Sequence, residues 1–156
     1  MTQLEFITLF DLVSIIPEII VLVTACTVLL VDLFAPQKER EYTLAVTTII
    51  GLLLAIISEV QMHGKNITGF YGTVVADDFS VMFELIYLSV AIVTVFFSRH
   101  YISENEMNFG EYYVLLLTAV SGMMFMTSGL DLLLIFIGLE IMSISSYILV
   151  GIKRKV

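Results

Sequence analysis

From Tyr112 to Val150, a run of 39 residues, the sequence carries only two charged side chains, Asp131 and Glu140. One helix of that length would reach nearly 60 Å at about 1.5 Å per residue. The hydrocarbon core of a bilayer is about 30 Å thick. The run must therefore fold back on itself. Ser128-Gly129 is its one good break, because Gly129 suits a left-handed helix end. Asp131 suits the start of the next helix, where the dipole favours a carboxylate. The run reads as two helices, over about 112–127 and 131–150.

Three further apolar stretches precede it, at about 15–34, 42–60 and 79–97. Ser14 is placed to cap the first, and Pro17 falls in its first turn, where a missing N–H is tolerated. Apolar residues make up 59% of the chain and charged ones 14%, against roughly 45–50% and 25% in soluble domains. That balance excludes a soluble globular domain, a disordered chain and a coiled coil. The expected fold class is all-α, without sheet: a polytopic membrane helix bundle of about five transmembrane helices, since helices satisfy their own backbone in lipid. Residues 1–156 read as a single membrane domain. The lone Cys26 cannot form an intramolecular disulfide and is expected to be a small buried apolar residue. A net charge of −8 argues against nucleic acid as a partner.

Orientation follows from the basic residues. Lys38 and Arg40 follow the first span, Arg99 the third, and Lys153, Arg154 and Lys155 the fifth, whereas Lys65 alone lies on the other side. The richer side is expected to be cytoplasmic and the N-terminus outside. No Lys or Arg precedes Lys38, so the first apolar run is expected to stay as an anchor rather than act as a cleaved signal. Tyr42, Tyr71, Tyr101, Tyr112 and Tyr113 lie near span ends, as interfacial anchors do. His63 and His100 fall on opposite sides, which argues against a shared metal site, and Glu104 and Glu106 read as solvated loop acids.

Acids within spans carry the functional signal, because burying one in lipid costs on the order of 3 kcal/mol. Glu18 has an ordinary reading at a helix start, and Asp32 and Glu59 lie within a turn of span ends. Glu84 is about two turns in and is a weaker candidate for a functional role. Glu140 stands at mid-span, with Ser143 and Tyr147 on the same helical stripe. A carboxyl flanked by hydroxyls at that depth suits proton handling; the alternative is a protonated glutamic acid serving only as a helix–helix hydrogen bond. Every Lys, Arg and His is expected in a loop, so Glu140 is expected to have no basic partner at its own depth. No phosphate loop, dinucleotide fingerprint or nucleophile elbow is present, and no cofactor motif.

The run Gly138–Gly151, GLEIMSISSYILVG, resembles the fifth helix of subunit N of the proton-pumping NADH-quinone oxidoreductase, respiratory complex I. Pro17-Glu-Ile-Ile-Val-Leu-Val is similar to that subunit's first helix, Val74-Val-Ala-Asp-Asp-Phe to the entry of its third, and Gly110-Glu-Tyr-Tyr-Val-Leu-Leu-Leu to its fourth. The plastoquinone-reducing homologue of cyanobacteria and chloroplasts is a related likeness. The resemblance implies an antiporter-like, multi-pass subunit of the inner (plasma) membrane, a non-redox part of an enzyme complex. Its partners would be the other complex I subunits, above all neighbouring antiporter-like ones, and the lipid bilayer. NAD, FMN, iron–sulfur clusters and quinone would be carried by other subunits. By match of motif, Glu140 would be the glutamate that pairs with a lysine on helix seven and passes protons, with Ser143 and Tyr147 in support. Ile144-Ser145 stands where the family often has Leu-Pro. The family has about fourteen helices, so the chain is expected to be an N-terminal portion that does not pump alone. An antiporter-type subunit of a related hydrogenase or cation/proton antiporter complex, or a small structural membrane protein, are the competing readings.

Overall fold

The computed structural model describes residues 9–36, 39–104 and 109–152. Lys38, Lys153, Arg154, Lys155 and Glu106, used above, lie outside them. The described residues form α1 (Leu9–Val13), α2 (Ile16–Phe34), α3 (Arg40–Met62), β1 (Ile67–Gly69), β2 (Val74–Ala76), α4 (Asp78–Glu104), α5 (Phe109–Ser128) and α6 (Leu132–Gly151). The protein is nearly all-α, and four of the five apolar stretches are helices at close to their expected bounds; α4 runs seven residues past the expected 97, so Arg99, His100 and Glu104 lie on a helix rather than in a loop, as Arg40 does at the start of α3. α2, α3, α4 up to Ile102, and α6 are long and apolar enough to cross a membrane.

α5 packs against α2, α3, α4 and α6. Tyr113, Leu117, Val120 and Met124 pack inward from it against Val21, Val28, Leu44, Leu52 and Leu88. Between α5 and α6 the backbones nearly touch: a Cβ on Gly138 would sit 2.7 Å from the Gly122 carbonyl oxygen. Small residues at such a crossing give close van der Waals packing, which holds helices together where lipid supplies no hydrophobic drive.

Alternation of up and down helices creates two unlike ends. One gathers the start of α2, the end of α3, the starts of α4 and α6, and the end of α5. The other gathers the remaining termini. At that second end Arg40 donates to both oxygens of Asp32, Nε to Oδ1 at 2.6 Å and an Nη to Oδ2 at 2.7 Å. Asp32 therefore does not reach for the interface alone, and Gly110 is needed beside it because a Cβ there would overlap the carboxyl. Arg99 approaches Glu41 at 3.5 Å and lies over the Tyr42 ring. His63 pairs with Asp78 at the first end and His100 with Glu104 at the second.

Several local expectations are corrected. The loop between α3 and α4 contains sheet after all: β1 and β2 pair antiparallel, Ile67 opposite Ala76 and Gly69 opposite Val74. The segments are only three residues long, too short to register as periodic pattern. Gly129 is not left-handed; it bridges to Val74 in a β-type contact, and a Cβ on it would meet the Phe125 carbonyl oxygen at 2.9 Å. Ser14 does not cap α2, because its hydroxyl donates to the Asp11 carbonyl instead. Asp131 does cap α6, accepting from the Leu133 N–H at 3.1 Å. Tyr113 is fully buried rather than interfacial, and Cys26 is exposed on the outer face of α2.

Candidate functional site: membrane-embedded carboxyls

α6 buries only a narrow stripe. Gly138 and Ser145, two turns apart, face α5. The opposite side carries Leu133, Phe136, Ile137, Ile144 and Tyr147, all exposed. Glu140 is exposed on this side, close to the middle of the helix. Ser143 is half-buried, and Tyr147 is 74% exposed. Among the described residues no hydrogen bond reaches Glu140. The side of the bundle that holds it is thus apolar, broad and without a facing helix among the described residues. An exposed carboxyl at mid-helix on such a surface has neither a donor nor an opposite charge at its depth.

A second group of carboxyls is closed inside the bundle. Glu18 on α2, Glu59 on α3 and Glu84 on α4 are 1%, 2% and 3% exposed. The ordinary readings for Glu18 and Glu59, a helix dipole and reach to the interface, do not account for burial this complete. Glu18 is the third residue of α2, Glu59 lies three before the end of α3, and Glu84 is six past the start of α4. Antiparallel packing brings all three to the same end of the bundle. The Glu59 and Glu84 carboxyls meet one another there, and Glu18 lies near both. Ser128, at the end of α5, donates to Glu18 Oε1 at 3.1 Å. The second oxygens of Glu18 and Glu59 are buried without a partner.

The β1–β2 hairpin sits at this end. The Phe70 N–H donates to Asp11 Oδ1 at 2.7 Å, and the Leu130 N–H donates to the Thr73 carbonyl at 2.8 Å, tying the hairpin turn to α1 and to the α5–α6 connection. Asp77, between β2 and α4, is half-buried at the same end, where its side chain accepts from the Ser80 N–H. It also borders a groove of about 530 Å³ lined by Phe83, Tyr87, Met123, Met126 and Met142. Among the described residues no group of three His, Cys, Asp or Glu is placed to hold a metal ion. The contact between two carboxyls, in contrast, can hold a proton.

No family model matches the chain. Curated relatives do. The chain is 41% identical over 140 residues to the NADH-quinone oxidoreductase subunit N of Trichlorobacter lovleyi, covering 90% of the chain and 28% of that protein. It is 36% identical over 164 aligned residues to subunit N 2 of Koribacter versatilis, covering 100% of the chain and 33% of the relative. It is 39% identical over 140 residues to subunit N 2 of Rhizobium meliloti, covering 90% and 29%. The chain spans about three tenths of the length of these relatives. Over nearly its whole length this multi-pass, helical chain is similar to the N-terminal part of NADH-quinone oxidoreductase subunit N.

Proposed function

We propose that the chain is part of a membrane-arm subunit of a proton-translocating NADH-quinone oxidoreductase, contributing to proton movement coupled to electron transfer from NADH to quinone. The observation that carries this reading is the similarity to subunit N over 90% or more of the chain. Five helices running alternately across the inner membrane, with Arg40 and Arg99 on the cytoplasmic side, fit the basic asymmetry of the loops. The redox groups, NAD, FMN, iron–sulfur clusters and quinone, belong in this reading to other subunits.

Glu140 is the proposed proton-transferring residue. Its mid-helix position on the broad unpaired face of α6 leaves room for a basic partner from a facing helix, with Ser143 and Tyr147 about one and two turns further along the same stripe. In isolation the chain would not pump, because the carboxyl has nothing to exchange with at its depth. The test is Glu140→Gln in the complete subunit within the assembled complex. The amide keeps size and polarity but cannot pass a proton, so pumping should fall by roughly an order of magnitude or more with assembly intact. Pumping at the wild-type level in an assembled complex would reduce Glu140 to a structural hydrogen-bonding residue.

A further inference from the structure

We propose that Glu18, Glu59 and Glu84, buried at the end of the bundle that carries the Ile67–Ala76 hairpin, form a proton-sharing site that holds at least one proton and exchanges it with water at that end. The site is separate from Glu140, and its test does not depend on that residue's role.

The first support is the contact between Glu59 and Glu84. Two carboxylates in contact away from water repel strongly, and a proton on one of them turns that repulsion into a hydrogen bond. Among the described residues, none of the ion pairs includes Glu18, Glu59 or Glu84, so no cation offsets their charge. The groups around them are Asp77 beside β2, which acts on Glu84 as a further negative charge, and Ser128 from α5. Asp11 on α1 is engaged with the hairpin backbone. A proton is the positive charge that this arrangement calls for.

The second support is independent of that contact. Glu18, 1% exposed, keeps one oxygen without any donor, although Ser128 serves the other. A buried acceptor left unpaired costs about 1–3 kcal/mol. The cost is relieved when a proton, alone or carried by a water, arrives from the neighbouring pair. Three carboxyls sharing one proton in this way form a site that can hand it on rather than a closed hydrogen bond.

Access comes from the shallow depth. At about 1.5 Å per residue, Glu18 and Glu59 lie within roughly 5 Å of their helix ends and Glu84 within about 9 Å. The hairpin and half-buried Asp77 lie at the same end of the bundle. When the proton leaves to water the site gains one negative charge, and uptake from water restores it.

Infrared spectroscopy of the full chain in lipid vesicles tests this, in a Glu140→Gln background so that Glu140 adds no signal of its own. The expected result at neutral pH is a protonated-carboxyl C=O band that moves to its deuterated position within minutes of transfer to D2O. It should be lost in Glu84→Gln, and Glu59→Gln should remove or displace it. The D2O measurement needs neither cluster variant, so a folding failure in one of them leaves the test standing. A band absent from the background chain would mean that no proton is held. One that keeps its position for hours in D2O would mean a sealed structural hydrogen bond. Either outcome overturns the proposal.

Discussion

Gly122 of α5 and Gly138 of α6 face each other so closely that a methyl group on either would press on the other's carbonyl oxygen, at 2.8 and 2.7 Å. That contact decides which side of α6 is hidden. With Gly138 turned inward, Glu140 two positions later must turn outward, onto the face that no described helix covers. Packing of two hydrogen-sized side chains thus sets the exposure of the carboxyl to which proton transfer is assigned.

Gly138→Leu should therefore force α6 away from α5. Overpacking at a close contact costs about 1–3 kcal/mol. Thermal unfolding of the purified chain in detergent should show a lowered midpoint. Gly151→Ala, at a position with nothing within 4 Å of the added carbon, should leave it unchanged. Equal midpoints for Gly138→Leu and wild type would mean that the two helices do not meet there.

The Asp32–Arg40 pair should stabilise the turn between α2 and α3. Two parallel charge-assisted bonds, at 2.6 and 2.7 Å, hold it in a partly buried setting. Asp32→Asn is expected to cost about 1.5–3 kcal/mol, the range for hydrogen bonds to charged groups. Arg40→Gln added to it should cost less than Arg40→Gln alone, because the charge-assisted pairing is already weakened. A double-mutant cycle on the same unfolding measurement reads the coupling, and strictly additive losses would show that the pair contributes nothing.

Ser128→Ala should destabilise more than its size suggests. Its hydroxyl is the one side-chain donor to Glu18 among the described residues, and losing it leaves a second buried oxygen unserved, at about 1–3 kcal/mol. Ser146→Ala is the control, since that hydroxyl bonds only to the Met142 carbonyl of its own helix. Comparable unfolding midpoints for the two variants would remove Ser128 from the carboxyl cluster.

Helix positions were legible in the sequence because apolar length and a 30 Å bilayer leave few choices. Residues such as Asp131, whose role is local, were legible too. What depended on neighbours across the bundle was not. Tyr113 and Tyr42 stand equally near span ends, yet one is buried and the other exposed, because α5 is the central helix and α3 is not. Cys26 in an apolar run looks buried until the outer face of α2 is known. Glu18 and Glu59 have adequate local explanations one at a time. The missed signal was joint: three acids lie within two turns of helix ends that an alternating topology must bring to the same side.

Orientation is tested by cysteine labelling from one side of the membrane. Tyr71 sits at the hairpin turn and is 88% exposed, whereas Tyr101 lies near the other end, on the last turns of α4. In the proposed orientation, drawn from the asymmetry of basic residues, Lys65 is outside with the hairpin, and Arg40 and Arg99 are inside. The native Cys26 falls in the middle of α2, on its exposed face, at a depth an impermeant charged maleimide does not reach. It should stay unlabelled in intact cells and serve as an internal control. Tyr71→Cys should label fully from outside. Tyr101→Cys should label only after the membrane is opened. Because the two positions stand at opposite ends of one bundle, they cannot both react from the same side if α4 crosses once. The reverse pattern would turn the molecule over in the membrane and place the buried carboxyls Glu18, Glu59 and Glu84 at the cytoplasmic surface instead.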